Sequence, residues 1–168
     1  MIENYLEKIK QRLKVVVLHA VIYTRYSSDN QRSESIDAQI RLIRKWSDEH
    51  SIVIDKIYAD EAQSAKSDER KQFQQMIADS KKQKDWQLVL VHKLDRFARN
   101  RMDSAAYRVE LRKNKKYLIS TTEQFDDTPE SCMLEGIIES MAEFYSKNLA
   151  RETMKGLTEN ALKAKHCG

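Results

Sequence analysis

Three short polar clusters in the sequence combine serines, arginines and a few carboxylates. They are YTRYSSDNQ (23–31), DEAQSAKSDER (60–70) and KLDRFARN (93–100). Arginine stays protonated at physiological pH, and its planar fork of donors matches the oxygens of a phosphate group. A serine hydroxyl among several arginines is therefore typical of a site that handles a phosphodiester or a phosphomonoester, where charge and positioning dominate the barrier.

Two other chemistries fit these clusters less well. Acyl transfer needs a base of near-neutral pKa to activate serine, and the only histidine near the first and third clusters, His92, falls in a predicted strand. A metal-dependent nuclease needs clustered carboxylates, whereas Asp95 has basic neighbours. The four histidines lie far apart and Cys132 and Cys167 are isolated, so neither a metal nor another cofactor is predicted.

Ordinary structural roles also remain open for each of these residues. Arg25 and Arg70 can pair with neighbouring aspartates such as those of the second cluster. Asp95 and Arg96 can form a surface ion pair, and Ser27 can cap the helix that follows it. From the residue types alone, the prediction stops at a phosphate-handling domain.

The elements that must position these clusters alternate along the chain. Strands are predicted over 15–25, 52–60, 88–93 and 117–122, and helices over 35–50, 70–82 and 102–114. This alternation predicts an α/β fold with a mostly parallel, four- to five-stranded sheet flanked by helices on both faces. Because the carboxyl ends of parallel strands meet at one edge, we expect the three clusters to converge there.

A long helix is predicted from Pro129 to about residue 165. Its apolar stripe consists of Leu134, Ile137, Ile138, Met141, Tyr145 and Leu149. Unbroken, it would be about 50 Å long, which exceeds the diameter of a domain of this size, so we expect its stripe to pack against another copy of the chain. The alternative is a helix that bends at Gly156 and folds back on its own domain.

Length and charge indicate a single domain with one phosphate-attracting surface. The 168 residues suffice for one core, or for one core with an appendage. Residues 93–116 hold nine basic and three acidic side chains, whereas residues 122–143 hold seven acidic and no basic ones, so one surface attracts phosphate and another repels it. No apolar run approaches a membrane span and the N-terminus is unlike a signal peptide, so we expect a cytoplasmic protein with no membrane contact.

The three clusters, in this order and spacing, resemble the signature blocks of the serine site-specific recombinases, the family of resolvases, DNA invertases and large phage or transposon integrases. The resemblance covers about residues 15–165 and includes SIDAQ (35–39). The segment AEFYSKNLARETMKGL (142–157) is similar to the oligomerisation helix of the large, integrase-like members in particular.

The resemblance implies a mechanism in which Ser27 attacks a DNA phosphodiester, forms a 5′-phosphoserine link and releases a 3′-hydroxyl. The active-site arginines would be Arg25, Arg70, Arg96 and Arg99. Asp95 matches the family's carboxylate, and the supporting polar positions would be Gln31, Gln39 and Lys93. It also implies double-stranded DNA attachment sites, homodimers that join into tetramers, and no need for ATP or a metal.

The expected organisation is an N-terminal extension (1–14), a resolvase-like catalytic domain (15–128) and the long helix (129–165). Residues 1–14 precede the usual start of the family, as an extra helix or a leader. A DNA-binding region is expected to follow residue 168. The loop after the second strand reads DEAQSA where the family commonly has a glycine, so its shape around Arg70 is expected to differ.

Two further functions stay open. One is a serine-dependent phosphatase or phosphodiesterase that releases its product by hydrolysis. The other is a non-catalytic DNA-associated module that keeps the fold for assembly alone.

Overall fold

The centre of the molecule is a four-stranded, all-parallel sheet. The computed structural model describes residues 2–25, 35–60, 70–98, 101–123 and 129–166. The strands are β1 (Leu18–Arg25), β2 (Ile52–Asp60), β3 (Leu88–Val91) and β4 (Tyr117–Ser120), in the spatial order β2-β1-β3-β4. The predicted α/β fold with a mostly parallel sheet is therefore confirmed.

Alternation along β1 builds two cores, one on each face of the sheet. Leu18, Ala20 and Ile22 point into one apolar cluster, whereas Val21 and Tyr23 point into the other. A strand buried on both faces between two neighbours has no polar side, which explains its continuous run of apolar residues.

Helices cover both faces of the sheet. They are α1 (Ile2–Leu13), α2 (Ile36–Glu49), α3 (Lys71–Lys82), α4 (Leu94–Phe97), α5 (Arg101–Lys113) and α6 (Pro129–His166). One core takes Leu6 and Ile9 of α1 together with Ile43 of α2. The other takes Phe73 of α3 and Leu111 of α5. Residues 2–13 therefore form a helix that packs on the sheet.

Some predicted boundaries were wrong. The first strand begins at Leu18 rather than at residue 15, because Lys14 takes a left-handed conformation (φ 56°) after α1 and leaves Val16 and Val17 exposed. The strands predicted over 88–93 and 117–122 end at Val91 and Ser120. The short helix α4 was not predicted, because four residues are too few to show helical periodicity.

Helix α6 runs unbroken through Gly156, so the alternative of a helix bent at that position was wrong. Its 38 residues correspond to a length of about 57 Å. Among its described side chains only Ile138 is buried, at 2% exposure, and it packs against Val109 of α5. The other five residues of the predicted stripe are exposed: Leu134, Ile137, Met141, Tyr145 and Leu149.

None of the helices in the described ranges combines the length and the apolar character that a bilayer crossing requires.

Candidate active site

The carboxyl ends of the strands place the described parts of the three polar clusters at one edge of the sheet. Arg25, the last residue of β1, pairs in register with Asp60, the last residue of β2. Strand β3 lies on the other side of β1 and leads through Lys93 into α4. The candidate site is therefore formed by the end of β1, the start of α3 and the turn of α4.

Arg70 is held by contacts with three aromatic or backbone groups. Its Nε donates a hydrogen bond to the hydroxyl of Tyr23 over 3.1 Å, and its Nη2 donates to the carbonyl oxygen of Phe97. The guanidinium carbon lies 3.6 Å from the ring centroid of Phe73, within the range of a cation–π contact. These contacts fix the plane of the guanidinium group just before α3 begins.

Asp60 links the end of β2 to the start of α3. Its carboxylate accepts hydrogen bonds from the backbone N–H groups of Gln72 (2.9 Å) and Phe73 (3.0 Å), and from the hydroxyl of Tyr23 (3.0 Å). Arg70, at the N-cap position of α3, makes no capping bond with its side chain, so Asp60 supplies the cap.

Tyr23 connects the carboxylate of Asp60 with the cation of Arg70. Burial raises the pKa of the Tyr23 phenol above its ordinary value, although the Arg70 cation acts in the opposite direction. The phenol therefore stays protonated, donating to Asp60 while accepting from Arg70. Direct pairing of Arg70 with an aspartate was weighed from the sequence, whereas in the structure a tyrosine stands between them.

Tyr23 was not singled out as a site residue from the sequence. The available signal was its place two residues before Arg25 in the pattern Y-x-R-x-S. Its role depends on a partner 37 positions away and another 47 positions away, and no local pattern reveals such contacts.

Arg25 is anchored at both its side chain and its backbone. Its Nη2 donates to the carbonyl oxygen of Asp95 in α4 over 3.4 Å. Its own carbonyl oxygen accepts a hydrogen bond of 3.4 Å from the side chain of Gln39, which is buried under the site in α2. The predicted supporting residue Gln39 therefore contacts the backbone of a predicted catalytic arginine.

Asp95 and Arg96 are neighbours on α4 with different exposure. The Asp95 carboxylate lies 3.8 Å from Nε of Arg96, and the two side chains are 63% and 15% exposed, respectively. An ion pair of this length contributes little to stability. The Asp95 carboxylate is accessible because most of its side chain is exposed. Lys93, just before α4, is exposed and makes no capping bond with its side chain.

Several predicted site residues lie outside the described residues. They are Ser27, Gln31 and Arg99, together with the loop 61–69. His92 is described and buried, directly after the end of β3. Within the described ranges, no group of three or more His, Cys, Asp or Glu side chains is placed to hold a metal ion.

The described part of the site brings two cations onto one turn. Arg25 and Arg70 come from elements 45 positions apart in the sequence and both donate to backbone carbonyls of α4. Since α4 also carries Arg96, three guanidinium groups belong to one small structural unit. An arrangement of this kind can bind a phosphate group and stabilise the additional negative charge that develops as a phosphoryl group is transferred.

Comparison with known proteins places these features in a family. Residues 20–166 match the family described as "Resolvase, N terminal domain". No curated protein matches the chain.

Two solved structures share 30% sequence identity with the chain. The N-terminal catalytic domain of TP901-1 integrase superposes with a TM-score of 0.59, covering 77% of this chain and 97% of that one. A resolvase family site-specific recombinase from Streptococcus pneumoniae superposes with a TM-score of 0.61, covering 86% of this chain and 98% of that one.

The catalytic domain of ISC1926 TnpA, an IS607-like serine recombinase, shares the fold at 18% identity. Its TM-score is 0.52, and the match covers 84% of this chain and 99% of that one.

Proposed function

Because this chain belongs to the family of resolvase N-terminal domains, the catalytic domains of serine recombinases, we propose that it performs site-specific DNA recombination with Ser27 as its nucleophile. Members of this family are enzymes that act on DNA. The proposal concerns which residues carry out the chemistry and how the chain assembles on its substrate.

In the proposed cleavage step, the Ser27 oxygen attacks the phosphorus of the scissile phosphodiester. A bond forms between the serine oxygen and phosphorus while the bond from phosphorus to the 3′ oxygen breaks. The serine proton leaves to a base and the departing 3′ oxygen takes up a proton, so that the products are a 5′-phosphoserine link and a free 3′-hydroxyl. Because one phosphodiester replaces another, religation needs only a new 3′-hydroxyl and no energy source.

The observation that carries this proposal is the attachment of two arginines to one turn. Arg25 and Arg70 donate to the carbonyl oxygens of Asp95 and Phe97, which fixes both cations relative to α4. Preorganised cations stabilise developing negative charge without reorganisation during the reaction. We assign Arg25, Arg70 and Arg96 to the scissile phosphate, with Arg99 as a fourth contact.

Asp95 is the proposed carboxylate of the reaction. Its exposed side chain, beside Arg96 on α4, is free to orient an arginine or to assist proton transfer to the leaving oxygen. Gln39 is proposed to support the site through its hydrogen bond to the backbone of Arg25. Gln31 and Lys93 are proposed as further supporting residues.

Assembly is proposed to use α6. The exposed apolar residues of this helix extend from Met133 to Leu157. Burying such a surface requires a second chain, so we propose homodimers on double-stranded DNA attachment sites that join into tetramers. Ile138, by contrast, packs inside its own chain against Val109.

A nicked duplex that carries the crossover site of the encoding element tests the nucleophile. The nick lets a short strand end diffuse away after cleavage, which traps the covalent protein–DNA complex. In the full-length protein, Ser27→Ala should abolish this complex, whereas Ser28→Thr should retain much of it. The matched pair separates loss of the nucleophile from damage to the loop, and an active Ser27→Ala protein would contradict the proposal.

The two alternative functions give different products on the same substrate. Rapid release of free 5′-phosphate ends without a stable covalent complex would favour a serine-dependent phosphodiesterase. Binding without any cleavage by the wild-type protein would favour a non-catalytic module.

A further inference from the structure

We infer that Glu123, in the turn that follows β4, is a positioning residue for the active site. It acts by capping α4, the turn that anchors Arg25 and Arg70. This inference rests on the proposed function, because it concerns the geometry of the same cleavage step. None of the three polar clusters in the sequence contains Glu123.

The first observation is the cap itself. The N-cap position of α4 is Lys93, whose side chain makes no capping hydrogen bond and has no acceptor to offer. The carboxylate of Glu123 instead accepts the backbone N–H of Leu94 over 2.7 Å. A negative charge at the start of a helix also interacts favourably with the partial positive charge of its free N–H groups. Glu123 therefore supplies the capping acceptor that Lys93 cannot provide.

The second observation is that the turn carrying Glu123 is firmly attached to the end of β3. The backbone N–H of Thr121 donates to the carbonyl oxygen of Val91 over 2.9 Å. The hydroxyls of Ser120 and Thr122 both donate to the carbonyl oxygen of His92, over 3.0 and 2.6 Å. The segment that leads into α4 is thus bound from the side by the turn after β4.

Ser120 also connects this attachment with Glu123. Its buried hydroxyl accepts the backbone N–H of Glu123 over 3.2 Å while it donates to His92. The position of the Glu123 backbone is therefore set by the same hydroxyl that holds the end of β3. A side chain that extends from such a fixed turn can define the position and the direction of the start of α4.

The consequence reaches both anchored arginines. Arg25 and Arg70 depend on carbonyl oxygens of α4, one turn or less after the capped N–H of Leu94. If α4 shifts or frays, the carbonyl oxygens that hold both guanidinium groups move with it. Misplacement of catalytic groups by about 1 Å costs up to about 100-fold in rate. The rate of cleavage should therefore respond to Glu123 more than the fold does.

The test compares Glu123→Ala and Glu123→Gln with the matched control Glu49→Ala in the full-length protein. Glu49 is an exposed glutamate at the end of α2, away from the site. The rate of covalent complex formation is measured at saturating nicked DNA, and the affinity for intact DNA is measured separately. Hydrogen exchange of the Leu94 amide reports the cap directly.

We expect Glu123→Ala to slow cleavage about tenfold, within the range that misplaced catalytic groups produce. DNA affinity should stay close to wild type, and the unfolding midpoint should fall by only about 2–4 °C, as for the loss of one helix cap. Exchange of the Leu94 amide should accelerate. Glu123→Gln should recover most of the rate, because its amide oxygen still accepts the Leu94 N–H. Glu49→Ala should behave as wild type in all assays.

Three outcomes would overturn the inference. A wild-type cleavage rate in Glu123→Ala would show that the cap does not position the site. A Gln variant as slow as the Ala variant would assign the effect to charge instead of capping. A wild-type protein that forms no covalent complex would contradict the proposed function itself, and with it the inference.

Discussion

The central strand of the sheet and the long helix differ in how much of their apolar surface is buried within the chain. Strand β1 is buried along nearly its whole length between two strands and two helical layers. Helix α6 is more than four times as long in residues, 38 against 8, yet only Ile138 among its described side chains is buried. The first region is stabilised by its own chain, whereas the second presents apolar surface for which its own chain has no cover.

This difference matches what each region would do under the proposed function. Groups that stabilise charge in a transition state must stay fixed during the reaction, and Arg25 and Arg70 are fixed because the elements below them are buried. A surface that must pair with another copy has to remain exposed in the single chain. The contrast therefore supports a division between a rigid catalytic body and an assembling helix.

The largest expected effect is on the free energy of unfolding, when a phenylalanine of each region is replaced by alanine. Phe73 is 1% exposed beneath Arg70, and Phe144 on α6 is 59% exposed. Phe73→Ala should lower the free energy of unfolding by about 3–5 kcal/mol through loss of buried surface and formation of a cavity. In a dilute sample, Phe144→Ala should change it by no more than about 0.5 kcal/mol. Urea denaturation measures both, and equal losses would remove the distinction.

A smaller effect is expected at the carboxylate that joins β2 to α3. Asp60→Ala leaves the hydroxyl of Tyr23 and two backbone N–H groups without their acceptor, so it should cost about 1–3 kcal/mol of unfolding free energy. Cleavage should slow as well, because Tyr23 orients Arg70. The control is Glu143→Ala on α6, an exposed carboxylate paired with Lys147, which should leave the denaturation midpoint unchanged. Identical midpoints for the two variants would argue against a structural role for Asp60.

The smallest effect concerns α6 alone. A Cβ built at Gly156 meets no atom within 4 Å, so Gly156→Ala should stabilise the helix locally by about 0.5–1 kcal/mol. Helix content from circular dichroism should rise, while the midpoint of the catalytic body should stay constant because this part of α6 does not pack on it. A parallel rise in the midpoint would mean that the two regions unfold together.

The sequence was sufficient for the order and type of the main elements. Alternating strands and helices predicted the parallel sheet, and the apolar spacing after Pro129 predicted a single long helix. These features are local, since periodicity reports which face of an element is buried without reference to what buries it. The predicted start of β1 at residue 15 was wrong, because Val16 and Val17 have the residue type of a strand but lie outside the sheet.

Within the site, the sequence indicated which residue types gather at one edge and what chemistry they suit. Arg25 and Arg70 were proposed as site residues from their type and from their positions at or after the ends of strands. Gln39 was proposed from the family resemblance. The network of Tyr23 and Asp60 and the cap supplied by Glu123 were not found in this way. Each joins residues 29 to 47 positions apart, or links a carboxylate to a backbone group that has no signature in the sequence.

By itself, then, the sequence determined the α/β architecture, the exposed stripe of α6 and the concentration of arginines near a serine. Only the tertiary structure decided that two of those arginines attach to the backbone of α4 and that a protonated tyrosine separates Asp60 from Arg70. It also decided that Glu123, in the turn after β4, caps α4. The physical reason is that hydrogen bonds depend on distances of about 3 Å and on direction. Such distances between remote segments are set by how the layers pack, which side-chain periodicity does not encode.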